Sequence, residues 1–107
     1  MNTAMKTISS QRYIDEKIVS EKIAAKDFEV AVSPSFEVDG ETFRVVLDGH
    51  HSLEAARQAG VSPTYTEYTA TEHDAIGLLD AGDVETFLEV VHMGDDYYDI
   101  ETGLTVW

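Results

Sequence analysis

Two adjacent histidines, His50 and His51, follow Asp48-Gly49 and precede Ser52, between the apolar run Val45-Val46-Leu47 and the segment Leu53-Glu54-Ala55-Ala56-Arg57. An apolar run, a glycine and then an alanine-bearing segment read as a buried strand feeding a helix through a tight turn. The first amides of such a helix have no intrahelical acceptor, and the positive end of the helix dipole lies behind them. That arrangement suits an anion, above all a phosphate. The residues expected to build a phosphate- or nucleotide-binding pocket are therefore Asp48, Gly49, His50, His51 and Ser52, with Arg57 one to two turns further on. A purely structural role fits the same residues: an imidazole capping the helix, and Asp48 accepting turn amides.

Other chemistries find less support. Asp48, His50 and His51, joined by His73 or His92, offer nitrogen and oxygen ligands, yet neighbouring histidines rarely converge on one ion. The i, i+4 histidine spacing of a zinc helix is missing. A magnesium ion carried in with a nucleoside triphosphate would look to Asp48 or Glu54. Ser52 adjoins His51 but does not sit in a nucleophile elbow. Tyr65, Tyr68, Tyr97, Tyr98 and Trp107 read as packing aromatics rather than a base-stacking platform, because no cations are interleaved with them.

Charge narrows the function classes further. Lys plus Arg number 7 against 21 Asp plus Glu, a formal charge of -14, and no Lys or Arg follows Arg57. Direct nucleic-acid binding, which relies on cations against phosphates, is disfavoured. A solvated acidic surface is the simplest reading, and attraction of a basic protein, in the extreme as a DNA mimic, is the functional one. With no cysteine, the chain has neither disulfides nor thiolate ligands. No apolar run approaches the ~20 residues of a membrane span, and the amino terminus lacks a signal-peptide pattern, so a cytoplasmic location is expected.

The elements that must position the turn follow from periodicity. One domain spanning residues 1–107 is expected, with residues 1–10 frayed for want of a pattern. Tyr13 to Ala25 has helical spacing, although Arg12 to Val19 also fits an extended segment. Phe28, Val30 and Val32 alternate as a half-buried strand that Ser33-Pro34-Ser35 breaks. Asp39-Gly40 joins Phe36–Val38 to Thr42–Leu47 as a hairpin, and the unbroken apolar run at Val45–Leu47 predicts burial on both faces. A helix is expected from about His51 to Ala59, with Leu53, Ala56 and Ala59 inward and Gly60 ending it. Thr64–Thr69 reads as a strand. A helix starting near Thr71 should stop at Gly82, and one capped by Asp83 should close at Gly94. Tyr97–Ile100 and Leu104–Trp107 form a terminal hairpin.

The order strand, Asp-Gly-His-His, helix with Ala-Ala, glycine, strand resembles the ParB/sulfiredoxin superfamily over roughly residues 28–70. Its signature turn takes forms such as G-x-R-R, G-C-H-R or D-G-H-H-R, and the last, found in free-serine kinases of this fold, is the most similar. The resemblance implies an α+β fold, a small mixed sheet packed with helices, and a nucleoside triphosphate with Mg bound at the turn. It also implies a phosphotransferase or hydrolase, if an enzyme at all. Ser52 stands where the family usually carries arginine, which removes the main phosphate-clamping charge. His50 stands where the sulfinic-acid reductases carry cysteine, which excludes that activity. The basic helix-turn-helix of the DNA-partitioning members has no counterpart.

Overall fold

The fold, taken from a computed structural model that describes residues 5–107, is α+β: a mixed sheet with helices on both faces. Chain order is β1 (Lys6–Ser9), α1 (Glu16–Ala25), β2 (Glu29–Val32), β3 (Phe36–Val38), β4 (Glu41–Asp48), α2 (His50–Ala59), β5 (Thr64–Glu67), α3 (Ile76–Asp80), α4 (Val84–Val90) and β6 (Tyr98–Asp99). Across the sheet the order is β5-β2-β4-β1-β6, and β3 also pairs with β4. β4 is the hub. β1 runs parallel along one edge of it, while β2 and β3 share the other edge, both antiparallel. No helix among the described residues is long and apolar enough to cross a membrane.

Local chemistry explains most boundaries. The β3–β4 hairpin closes on Asp39 (φ 52°) and Gly40 (φ 82°), two residues that tolerate the left-handed region a twisted two-residue turn demands. Helix α1 begins later than its apolar spacing predicts, because the Asp15 side chain accepts the Lys17 N–H at 3.0 Å and caps it there. Asp83 caps α4 in the same way through the Thr86 N–H. Near Thr71 the expected helix start is instead a closed turn: the Glu72 carboxylate accepts both the Thr69 N–H and hydroxyl, and regular helix begins only at Ile76. The terminal hairpin survives as a Tyr98–Thr105 bridge beside β6.

Two expectations are corrected. Lys6–Ser9 is not frayed but an inner strand between β4 and β6; Met1–Ala4 lie outside the described residues. The strand escapes a hydrophobicity reading because it is buried through hydroxyls. Thr7 Oγ1 accepts the Arg44 Nε–H at 2.8 Å, Ser9 Oγ bonds His50 Nε2, and Ser10 Oγ accepts the Met93 N–H at 2.7 Å. β2 is not half-buried either, since Val30, Ala31 and Val32 are all inside. A register shift between Ala31 and Val32, continued by the Ser33 N–H donating to the Val45 carbonyl, ends its pairing at the proline.

The sheet carries a core on each face. Ile8, Phe36, Phe43, Val45 and Leu47 pack with Ile76, Phe87, Val91 and Tyr97 from the α3–α4 side. On the opposite face a smaller cluster of Val30, Val32 and Val46 meets Leu53 of α2, Tyr65 and Ile100. Val45, Val46 and Leu47 are buried alternately to the two sides, as their unbroken apolar run requires.

Candidate functional site

β4 delivers the chain to the histidine turn, and Gly49 makes the turn. Its φ of 94° lies in the left-handed region, and a Cβ there would sit 2.6 Å from the Glu29 carbonyl oxygen and 3.0 Å from Val30 Cα. Glycine is required twice over, by torsion and by the close approach of β2. The Asp48 carboxylate accepts the Gly49 N–H at 2.8 Å, and the Leu53 N–H closes the first helical turn onto the Gly49 carbonyl at 2.8 Å. No side chain caps α2, and the amides of His50, His51 and Ser52 have no acceptor among the described residues.

The two imidazoles have separate tasks. His50 is buried against β1, with Nε2 2.6 Å from the fully buried Ser9 Oγ, which also accepts the Gln11 N–H at 3.1 Å. Burial pushes its pKa down to about 4; Asp48 opposes that shift and His51 adds to it. The ring is neutral at pH 7. His51 Nε2 accepts the Asp15 N–H at 3.1 Å, so this ring holds the entrance of α1. Both histidines therefore pin neighbouring elements to the turn.

The side chains expected to form one pocket diverge around the first turn of α2. Asp48 and Ser52 open to a groove of about 370 Å³ with Lys22, Asp27, Glu29 and Thr66. Lys22 is already paired with Asp27 at 2.9 Å, and the Ser52 hydroxyl donates to Asp27 at 3.3 Å. That ion pair and the Glu29 N–H hold the Asp27 carboxyl below its ordinary value. Three carboxylates against one engaged lysine repel an anion.

His50 and Arg57 line a different space, a cleft of about 480 Å³. Its walls are the Gln11–Ile14 loop, Leu53 and Glu54 of α2, Tyr65, and Tyr98 to Glu101. Two of the chain's 7 cations, Arg12 and Arg57, face it. The Arg12 guanidinium lies 3.9 Å from the Tyr98 ring centroid and donates to the Gly103 carbonyl at 3.0 Å. Arg57 forks onto Glu54 through Nε at 2.9 Å and through Nη2. That contact holds the Glu54 carboxyl below its usual range. Tyr65, one wall of the cleft, carries the Arg44 guanidinium 4.3 Å from its ring centroid, and burial raises its phenol.

The helix itself runs as expected, but its inward residues are His50, Ser52, Ala55 and Ala56, while Ala59 is exposed and Leu53 half-buried. Gln11, Arg12 and Tyr98 line the cleft although nothing in their local sequence points to it, and Ser9 lies buried behind His50. The available signal was the scarcity of cations, which makes each arginine in so acidic a chain conspicuous. His73 and His92 stay apart from the turn: the His73 Nδ1 accepts the Ala75 N–H, and His92 packs 5.9 Å from the Tyr97 ring. Among the described residues no group of three or more His, Asp or Glu side chains gathers as a metal site. No family model matches the chain, and no curated protein or solved structure does either.

Proposed function

We propose that this protein binds a small phosphorylated ligand of nucleotide size in the cleft between the Gln11–Ile14 loop and α2. The observation that carries the reading is the convergence of Arg12 and Arg57 on one concave site where, with Glu54 and Glu101, cations match carboxylates in number, in a chain with net charge -14. The volume, about 480 Å³, lies in the range of small-ligand pockets. Tyr65, Tyr98, Leu53 and Ile100 supply apolar and aromatic wall for the uncharged part of the ligand. The amides at the start of α2, free of acceptors, support an anion nearby. The likeness of the Asp-Gly-His-His turn to the ParB/sulfiredoxin superfamily supports a nucleoside triphosphate with Mg as the ligand class. Glu54 and Glu101 are the carboxylates that line this cleft, and of the two residues expected to meet a magnesium ion Glu54 is the one found there, whereas Asp48 faces the acidic groove.

The reading is one of binding rather than turnover. Ser9 is fully buried and His50 is committed to it, so neither is presented to a ligand as a nucleophile or base. With Ser52 in place of a clamping arginine, affinity should be modest, with Kd about 0.1–1 mM, or roughly 4–5.5 kcal/mol. Titrating ATP, GTP or CTP with magnesium should move the amide signals of Gln11–Ile14 and Gly49–Leu53. Arg12→Ala should abolish the response, while Asp48→Asn should leave it in place. A response confined to Asp48, Ser52 and Asp27, or none at 10 times the upper Kd of about 1 mM, would overturn the reading.

A further inference from the structure

The face of α4 that leaves the core carries a second concavity, of about 450 Å³, lined by Leu88, Tyr97 and Trp107 with Glu85, Glu89 and His92 around them. We propose that this groove docks a basic segment of a partner protein, seating an arginine or lysine stem on the aromatic floor and its charged head between Glu85 and Glu89.

The floor is rigid. The Tyr97 hydroxyl donates to the Leu88 carbonyl at 2.6 Å, which fixes the ring against α4. Trp107 lies 4.9 Å from Phe43 with the rings tilted by 58° and 5.7 Å edge-on from Tyr97, so the indole is braced by the core although it is 42% exposed. Indole is the best of the aromatic faces for a cation, and a long arginine or lysine stem covers apolar surface while its head stays polar. Preorganised aromatics of this kind lose little entropy on binding.

Charge selects the occupant. Glu85 and Glu89 stand one turn apart on α4, about 5–6 Å between their Cβ atoms, and both are exposed. Neither has an ion-pair partner among the described residues, and residues 58–107 contain no Lys or Arg to give them one. The same rim repels a second copy of this acidic chain. An apolar seat with unpaired carboxylates around it is complementary to a basic, partly apolar peptide.

Trp107, the single tryptophan, reports on the groove directly. Intact protein would be titrated with three synthetic decapeptides: alternating Arg and Leu, alternating Arg and Ser, and alternating Glu and Leu. The Arg/Leu peptide should shift the Trp107 emission saturably and bind at least tenfold more tightly than the other two. The combined Glu85→Gln and Glu89→Gln substitutions, on exposed side chains that leave the far-ultraviolet dichroism unchanged, should weaken it about tenfold. Raising salt from 50 to 300 mM should weaken it several-fold. Arg12→Ala should leave it untouched. Equal binding of the Glu/Leu peptide, indifference to the glutamine pair, or concentration-dependent dimerisation that quenches Trp107 without peptide would each overturn the proposal.

Discussion

The two faces of β4 are held by different forces. Toward α3 and α4, Ile8, Phe36, Phe43, Val45, Leu47 and Phe87 form an apolar, aromatic core, with Phe36 and Phe87 edge to face at 5.8 Å. Toward α2, the buried apolar cluster is the small one of Val30, Val32 and Val46, the helices add only Val19, Ala55 and Ala56 as buried apolar residues, and much of the order comes from polar pairs: Ser9 with His50, Thr7 with Arg44, Asp15 with His51. The aromatic face resists deformation through packing density. The polar face instead fixes directions, since a buried hydrogen bond specifies angle as well as distance. The cleft lies on the polar face, where side chains must be aimed.

Truncations should separate the two faces. Phe87 is fully buried, and Phe87→Ala should cost about 3–5 kcal/mol. Val46, equally buried in the smaller cluster, should cost about 1.5–3 kcal/mol as Val46→Ala. Urea unfolding followed by far-ultraviolet dichroism measures both. Equal losses would mean that the α2 face contributes as much packing as the aromatic one, and the contrast would fail.

Acid should act mainly on the polar face, through His50. Its pKa is about 4 in the folded chain against 6.5 when exposed, so between those values the unfolded state binds more protons. Stability from keeping this imidazole neutral is therefore fully present above pH 6.5 and is lost as pH falls toward 4. At pH 4.5 the loss attributable to this group should be about 2–3 kcal/mol. His50→Gln should remove that component, leaving a smaller difference in urea midpoint between pH 7 and 4.5. An unchanged difference would show that the acid sensitivity resides in the carboxylates.

The same contrast decides what the sequence discloses. The hairpin at Asp39-Gly40, the doubly covered strand Val45–Leu47 and the glycine-initiated helix are legible because each rests on a local rule of torsion or apolar pattern. β1 is not, since its buried Thr7 and Ser9, and Ser10 just after it, look polar until their partners, distant in the chain, are in place. At the site, the turn and its free amides are legible for local reasons. The divergence of Asp48 and Ser52 from His50 and Arg57 is not, because it depends on the strands and helices packed against each flank of α2. Gln11 and Arg12 reach the cleft only through the loop after β1, so missing that strand hid them.

The smallest expected effect concerns charge. The 7 cations all precede residue 58, and the three ion pairs among the described residues use Lys6, Lys22 and Arg57. The α3–α4 side therefore carries its carboxylates without local compensation, and self-repulsion there should be relieved by screening. Raising salt from 20 to 500 mM shortens the screening length from about 20 Å to about 4 Å. The melting temperature should then rise by a few degrees, which corresponds to about 1 kcal/mol in a domain of this size. Neutralising Asp83 and Glu85 as Asp83→Asn and Glu85→Gln should reduce the salt slope more than Glu16→Gln with Glu21→Gln on α1. Those two glutamates share a helix with Lys17 and Lys22, and Gln58 donates to Glu16 at 3.2 Å. Equal slopes would place the repulsion evenly over the surface, and the two faces would then differ in packing but not in charge.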